Sequence, residues 1–251
     1  MEWNLSETEK IEDLQCKGYK LIQNKESFCY GIDSVLLSHF AKEIKKGSKV
    51  ADLGTGNGVI GILLCAKTEL ANIVGIEVQQ ESYELAKKNI QYNKLEERFQ
   101  VIQGNIKEIK QLLPRESMDV VVSNPPYKKA STGLTNGNLS KTIARHEITA
   151  TLDDFFQATS YLLKDKGVFY LVHRPDRLVD IFESAHKYHL EPKKMQLVYP
   201  KIDRQPNLVL LKMVKNARTE LRIDKPLIVY SQDGDYSKEI KEIYENQKGV
   251  M

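Results

Sequence analysis

The 251-residue sequence is poor in the residues that staple small or extracellular folds. It holds 3 Cys, at positions 16, 29 and 65, an odd number at spacings that match no metal-ligand pattern. This excludes a disulfide framework and a zinc module, and it predicts reduced thiols in a cytoplasmic protein that holds no metal. No apolar run approaches the roughly 18 residues that a membrane span needs. The first ten residues, MEWNLSETEK, are acidic and polar, so neither a signal nor a transit peptide is expected. Charge of one sign is also scarce, with a formal net of +3, and 41% of residues are hydrophobic, which excludes a disordered chain. Nor is there an internal repeat or a low-complexity linker, so the length points to one domain large enough to bury about 70–75% of its unfolded surface.

The small net charge is an average. Residues 164–222 carry 13 Lys+Arg against 7 Asp+Glu, whereas residues 1–163 carry 20 against 21 and residues 223–251 carry 4 against 6. A localised surplus is what an anionic partner requires, and a solvated surface accounts for it equally well.

Along the chain, 19–23 and 27–30 read as short strands around a turn at 24–26. A helix follows, capped by Asp33 or Ser34, with Val35, Leu36, Phe40 and Ile44 at helical spacing and Gly47 closing it. Strands are then predicted at 49–53, 72–77, 99–102, 118–123 and 167–173. Helices fall between them at 58–66, 80–93, 106–113 and from Thr151 or Asp153 to 163. A helix at 177–188 and two late strands, around 195–199 and 208–214, complete the chain. Strands alternating with helices indicate βαβ units with right-handed crossovers. The expected fold is a doubly wound α/β domain, Rossmann-like, with seven strands, mostly parallel, and an antiparallel C-terminal hairpin. Residues 1–48 form an N-terminal appendage, 49–222 the core and 223–251 a tail packing on it.

The densest local signal is Asp52-Leu53-Gly54-Thr55-Gly56-Asn57-Gly58, at the first strand-to-helix junction, where open α/β sheets bind ligands. Alternate glycines let the backbone approach a ligand, and the following helix offers N–H groups. Asp52 repels a pyrophosphate but attracts a cationic group, which favours S-adenosylmethionine over a dinucleotide. Glu77 ends the next strand and can accept both ribose hydroxyls; the pair reads as lying in register on consecutive strands. Glu77 alone is also compatible with a helix N-terminal charge. Asn105 and Ile106, after the third strand, are candidates for the adenine edge and face.

The fourth strand runs into Asn124-Pro125-Pro126-Tyr127. A planar exocyclic or amide nitrogen is a poor nucleophile because its lone pair is delocalised. The Asn124 side-chain carbonyl and the Pro125 backbone carbonyl can hold both N–H bonds and aim the lone pair at an electrophilic methyl. Pro125 and Pro126 remove donors and fix the backbone. Tyr127 offers a face on which an extruded base can stack, and the Asn124 side chain also borders the cofactor position.

This motif together with the 52–58 loop resembles the class I S-adenosylmethionine-dependent methyltransferases. The segments Gly31-Ile32-Asp33-Ser34-Val35-Leu36-Leu37, Ala144-Arg145-His146-Glu147, His173-Arg174-Pro175 and Val198-Tyr199-Pro200-Lys201 extend the likeness over nearly the whole chain. They resemble the bacterial tRNA1(Val) adenine-N(6) methyltransferase family. The resemblance implies methyl transfer to the 6-amino group of an adenine next to the anticodon, with tRNA as partner and no stable protein partner. It further implies that Tyr30, Gly31 and Asp33 close over the cofactor and that Arg145 and His146 border the base or the RNA path. Arg174, Arg177, Lys193, Lys194, Lys201 and Arg204 are then expected to line one phosphate-binding face, with Tyr188 and Tyr199 between them. Transfer to a protein glutamine or to ribosomal RNA guanine remains the alternative, since those enzymes share the Asn-Pro-Pro-Tyr motif.

Overall fold

Alternation of apolar residues along five short strands decides the architecture. In β3 (Lys49–Leu53), Val50 faces one hydrophobic cluster while Ala51 and Leu53 face a second. In β6 (Met118–Ser123), Val120 and Val122 join the first cluster and Val121 the second. A strand with apolar residues on both pleats needs cover on both faces, and helices supply it. The structure, a computed structural model, describes residues 5–25, 30–68, 72–127 and 150–245.

The other strands are β4 (Asn72–Glu77), β5 (Phe99–Gln103), β7 (Leu163–His173), β8 (Leu190–Tyr199) and β9 (Leu208–Lys215). The sheet order is β5-β4-β3-β6-β7-β9-β8. Neighbours from β5 through β7 are parallel, and β9 runs antiparallel to both β7 and β8. These are the seven expected strands. Two further strands, β10 (Arg222–Ile223) and β11 (Leu227–Ile228), add on to β8 in parallel. The chain reverses its winding between β3 and β6, so the crevice for a ligand opens at the carboxyl ends of those two strands.

Helices α1 (Ile32–Phe40), α2 (Val59–Lys67) and α3 (Gln80–Tyr92) contribute to the first cluster. On the other face lie α4 (Ile109–Leu112), α5 (Leu152–Leu162) and α6 (Leu178–Lys187). A capping box holds the start of α5, with Asp154 N–H donating to Thr151 and Thr151 N–H to Asp154. A final helix, α7 (Lys238–Glu245), buries Ile240 and Ile243 in the first cluster.

Two N-terminal expectations are corrected. The hairpin that holds 19–24 is made not with 27–30 but with the polar lead-in: β1 (Glu9–Cys16) pairs antiparallel with β2 (Tyr19–Asn24) around Lys17 and Gly18. Residues 26–29 lie outside the described residues. β1 is hard to read because it carries four acidic or basic side chains over its first five residues and alternates exposure instead of hydrophobicity. The cap of α1 is also different. Gly31 occupies the N-cap with no side-chain hydrogen bond, and Asp33 sits inside the first turn, with its carboxylate turned to another task described below.

The hairpin is a separate two-stranded sheet, so the outer edge of β2 needs a partner. Two asparagines one turn apart on α3 supply it. Asn89 Oδ1 accepts the Ile22 N–H at 2.6 Å while its Nδ2 donates to the Ile22 carbonyl at 3.0 Å. Asn93, near the surface, repeats the pattern on Lys20, at 2.9 and 2.7 Å. Side-chain amides thus stand in for a neighbouring strand. Asn89 is wholly buried and also donates to the Asn57 carbonyl at 2.9 Å, which ties the hairpin to the loop after β3.

Asn89→Ala therefore orphans three backbone groups in the interior, and unfolding in urea should show a loss of about 3 kcal/mol. Asn93→Ala should cost clearly less, because water replaces its bonds; equal losses at the two positions contradict this account.

Candidate active site

The loop after β3 turns back over the sheet through three glycines with positive φ, at 71° for Gly54, 58° for Gly56 and 85° for Gly58. At Gly56 an added Cβ meets nothing within 4 Å among the described residues, so the requirement there is the left-handed backbone. The loop hangs from β4: Gly54 and Thr55 N–H both donate to the Ile76 carbonyl, and Gly56 N–H donates to Glu77 Oε2 at 2.9 Å. The other Glu77 oxygen accepts the Gln79 N–H at 2.9 Å. A carboxylate has about four acceptor positions, and two are filled among the described residues, on a side chain only 5% exposed. Gly75 lets Thr55 lie flat on β4, since a Cβ there falls 2.8 Å from Thr55 Cγ2.

Asp52 is fully buried, with Oδ2 accepting from the Thr55 hydroxyl at 2.6 Å and Oδ1 making no hydrogen bond among the described residues. Burial pushes its carboxyl up to about 7, Glu77 adds to the rise, and Thr55 and the Gly61 N–H oppose it. The structure thus places Asp52 beneath the loop, holding it, and not on the wall of the crevice. Nor do Asp52 and Glu77 share a register, because Asp52 faces Gly75 and Glu77 faces Gln103.

Asn57 precedes Gly58, the N-cap of α2, and its Oδ1 accepts the Val59 N–H at 3.3 Å. Asn105 accepts the Lys107 N–H at 3.0 Å as the cap of a short 3-10 turn, which leaves its Nδ2 hydrogens as the groups it can offer. Ile106 is built into the second cluster and is only 6% exposed, so little of it is open to a ring.

At the tip of β6, next to this loop, stand Asn124 through Tyr127. Pro125 is buried, and Asn124, Pro126 and Tyr127 are half-buried. Asn124 Nδ2 donates to Asp33 Oδ2 at 3.1 Å. Tyr127 Oη lies 2.7 Å from Asp33 Oδ2 and 2.7 Å from Asn124 Oδ1. The remaining Asp33 oxygen accepts the Ser34 N–H at 2.9 Å. Gly31 stays bare beside it, since a Cβ there sits 3.0 Å from Asp33 Oδ1. Tyr30 N–H donates to Gln23 Oε1 at 2.9 Å, and burial together with Glu12 pushes its phenol up to about 12. The N-terminal segment and the 124–127 motif are therefore one constellation.

His173, at the end of β7, packs its ring against Tyr127 at 5.2 Å between centroids. It is wholly buried, and burial together with the Arg177 charge pulls its pKa down to about 4, so the ring is neutral. Its Nδ1 accepts the Arg174 N–H at 2.8 Å.

The basic residues do not share one face. Arg177 is bound to Asp180 at 2.6 Å and reaches the Tyr127 carbonyl, which makes it a support of the motif. Lys193 pairs with Glu220 and Lys194 with Asp224 at 2.9 Å, each with its side chain at most 25% exposed. Both sit five or six strand steps, roughly 16–20 Å, from the carboxyl end of β8. Tyr188 lies before the start of β8, its hydroxyl on Asp153. Arg174 follows β7, the strand next to β6, while Tyr199, Lys201 and the exposed Arg204 end or follow β8, at the same end of the sheet as the crevice but three strands out from β6. Arg145 and His146 lie outside the described residues.

Sequence reasoning missed Asn89, and it named Thr55 and His173 without the roles seen here, on Asp52 and against Tyr127. The pairing of β3 with β4 that brings Gly75 against Thr55 and the Ile22 contact of Asn89 are long-range, and no local pattern signals them. The position of Asp52 yields a measurable consequence. Its unfolded pKa is near 3.9 and its folded value is about 7, so the native state holds the proton between these limits and stability falls as pH rises through them. Asp52→Asn removes that slope. Urea unfolding at pH 4.5, 6 and 8 should show the variant gaining on the wild type by up to about 1.4 kcal/mol per pH unit, then no further above pH 7. A difference independent of pH contradicts the placement.

Residues 28–178 match the family model described as the methyltransferase small domain. The chain is 30% identical over 216 residues to a Porphyromonas gingivalis protein named tRNA1(Val) (adenine(37)-N6)-methyltransferase, a match covering 83% of this chain and 84% of that one. A protein of the same name from Bacteroides thetaiotaomicron is 27% identical over 230 residues, covering 91% and 94% of the two chains. In fold, the chain resembles the crystal structure of a predicted O-methyltransferase from Agrobacterium tumefaciens. The TM-score is 0.69 at 19% identity, over 87% of this chain and 98% of that one. That likeness shows the Rossmann-like methyltransferase fold. The sequence matches show more: the chain belongs to the methyltransferase small domain family and, within it, to the tRNA1(Val) (adenine(37)-N6)-methyltransferases.

Proposed function

We propose that the protein transfers a methyl group from S-adenosylmethionine to the exocyclic 6-amino nitrogen of adenine 37 in tRNA1(Val), acting in the cytoplasm. The observation that carries this reading is the juxtaposition of the 124–127 motif with the 54–58 loop at the switch point between β3 and β6. The donor set fits the cofactor: Glu77 can accept ribose hydroxyls, Asn105 keeps donors for an adenine edge, and at Gly56 the loop carries no side chain. Asp52, Gly54, Thr55, Asn57 and Gly58 shape that loop, and Tyr30, Gly31 and Asp33 stand at its side. When bound, S-adenosylmethionine supplies an electrophilic methyl group on a sulfonium.

The protein's own groups hold the nucleophile. The Asn124 carbonyl and the Pro125 backbone carbonyl accept the two N–H bonds of the target amino group and encourage it to pyramidalise. Tyr127, braced by His173, presents a ring edge and face to the base. No side chain has to remove a proton before transfer, because the nitrogen becomes acidic only once it is methylated. Residues 49–222 form the catalytic core in this reading, with 1–48 as its cap and 223–251 packing on it. Arg174, Lys201 and Arg204 meet phosphates, which provide affinity and position and not base identity.

Incubation with radiolabelled S-adenosylmethionine and unmodified tRNA, ribosomal RNA or total protein, followed by digestion, should yield N6-methyladenosine from tRNA. Labelled glutamine or guanine without methyladenosine overturns the reading. Asn124→Ala should lower kcat on the order of 100-fold with cofactor affinity nearly unchanged. RNA binding should weaken steeply with salt, and Lys201→Gln or Arg204→Gln should each reduce the slope of log K against log salt by about 1. Lys193→Gln, far from the crevice, should leave the slope alone.

A further inference from the structure

Asp33, Asn124 and Tyr127 come together from segments more than 90 residues apart, and their hydrogen count is uneven. Tyr127 Oη lies 2.7 Å from two acceptors, Asp33 Oδ2 and Asn124 Oδ1, but carries a single hydrogen. Burial and the negative charge of Asp33 raise the phenol well above its ordinary range, so that hydrogen stays on Tyr127. Only one of the two close approaches can be hydrogen-bonded at a time. A carboxylate is the stronger acceptor, so the hydrogen goes to Asp33 and Asn124 Oδ1 is left without a donor.

The same carboxylate decides which way the Asn124 amide points. With Nδ2 toward Asp33 Oδ2, as at 3.1 Å, the contact is a charge-assisted hydrogen bond. The flipped amide sets its oxygen against a carboxylate in a site only 7% exposed at Asp33, where such repulsion is little screened. Asp33 is itself held, by the Ser34 N–H and by the space that Gly31 leaves.

We infer that Asp33 is the positioning residue of the transfer site: by taking the Asn124 amide and the Tyr127 hydroxyl together, it leaves the Asn124 carbonyl as a vacant acceptor for the N–H of the target nitrogen. The inference rests on the reading of Asn124 as the group that holds that nitrogen. It differs from the expectation that Asp33 closes over the cofactor. With a neutral amide in place of the carboxylate, Tyr127 loses its preferred acceptor and turns its hydrogen to Asn124 Oδ1, which blocks the substrate.

Four proteins test it: the wild type, Asp33→Asn, Tyr127→Phe and the double variant. Asp33→Asn should lower kcat on the order of tenfold or more while KM for RNA and the calorimetric Kd for S-adenosylhomocysteine stay within about twofold. Tyr127→Phe keeps the ring and removes only the hydroxyl, so it is the background against which the double variant is read. The double variant should recover several-fold over Asp33→Asn, because the hydroxyl that competes for Asn124 is gone. A purely structural role for Asp33 gives no such rescue. Undiminished kcat in Asp33→Asn, a double variant no faster than the single, or a matching loss of S-adenosylhomocysteine affinity overturns the inference. Wild-type activity is read first. If the wild type labels glutamine or guanine, the functional reading falls and the same four-way comparison on that nitrogen substrate still decides the role of Asp33.

Discussion

A loop that must reverse direction with almost no side chains is held here entirely by its surroundings, and most of the site follows from that. The N–H groups of residues 54–56 donate to the Ile76 carbonyl and to Glu77 on the neighbouring strand, and from below the loop is pinned by the Thr55 hydroxyl donating to Asp52. The Asp52 carboxyl is fully buried and its pKa is raised to about 7, so the folded protein keeps it protonated up to that pH and loses stability where it ionises.

The second dependence runs through the N-terminal hairpin. A two-stranded sheet is marginal alone. Here it is joined to the core by the amides of Asn89 and Asn93, and Asn89 bonds the loop after β3 as well. Gln23 on the same hairpin then receives the Tyr30 N–H, two residues before α1. The order of the crevice thus passes from α3 through the hairpin to Asp33, and from Asp33 to Asn124 and Tyr127.

Charge is distributed less simply than composition suggests. The surplus in residues 164–222 divides between groups held in ion pairs and groups that face solvent at the carboxyl end of the sheet. Lys193, Lys194 and Arg177 are of the first kind and the exposed Arg204 of the second, while Arg174 is both, pairing with Asp176 at 3.4 Å with its side chain 54% exposed.

The order of the core strands and helices was legible in the residues, since apolar runs and glycines at strand ends are local signals, but the starts of β7 at Leu163 and β8 at Leu190, ahead of the expected 167 and 195, were not. Also legible were the 52–58 loop and the 124–127 motif, whose chemistry lies in consecutive residues. β1 was not legible, because its exposure alternates without an apolar pattern. Nor was the partnership of Asp33 with Asn124 and Tyr127, or the burial of Asp52, or which cations remain exposed. Each depends on contacts between segments tens of residues apart, and local pattern carries no record of them. The sequence by itself determined which chemical groups stand at the ends of which strands. The tertiary structure decided which of those groups touch, because hydrogen bonding and burial are properties of neighbours in space.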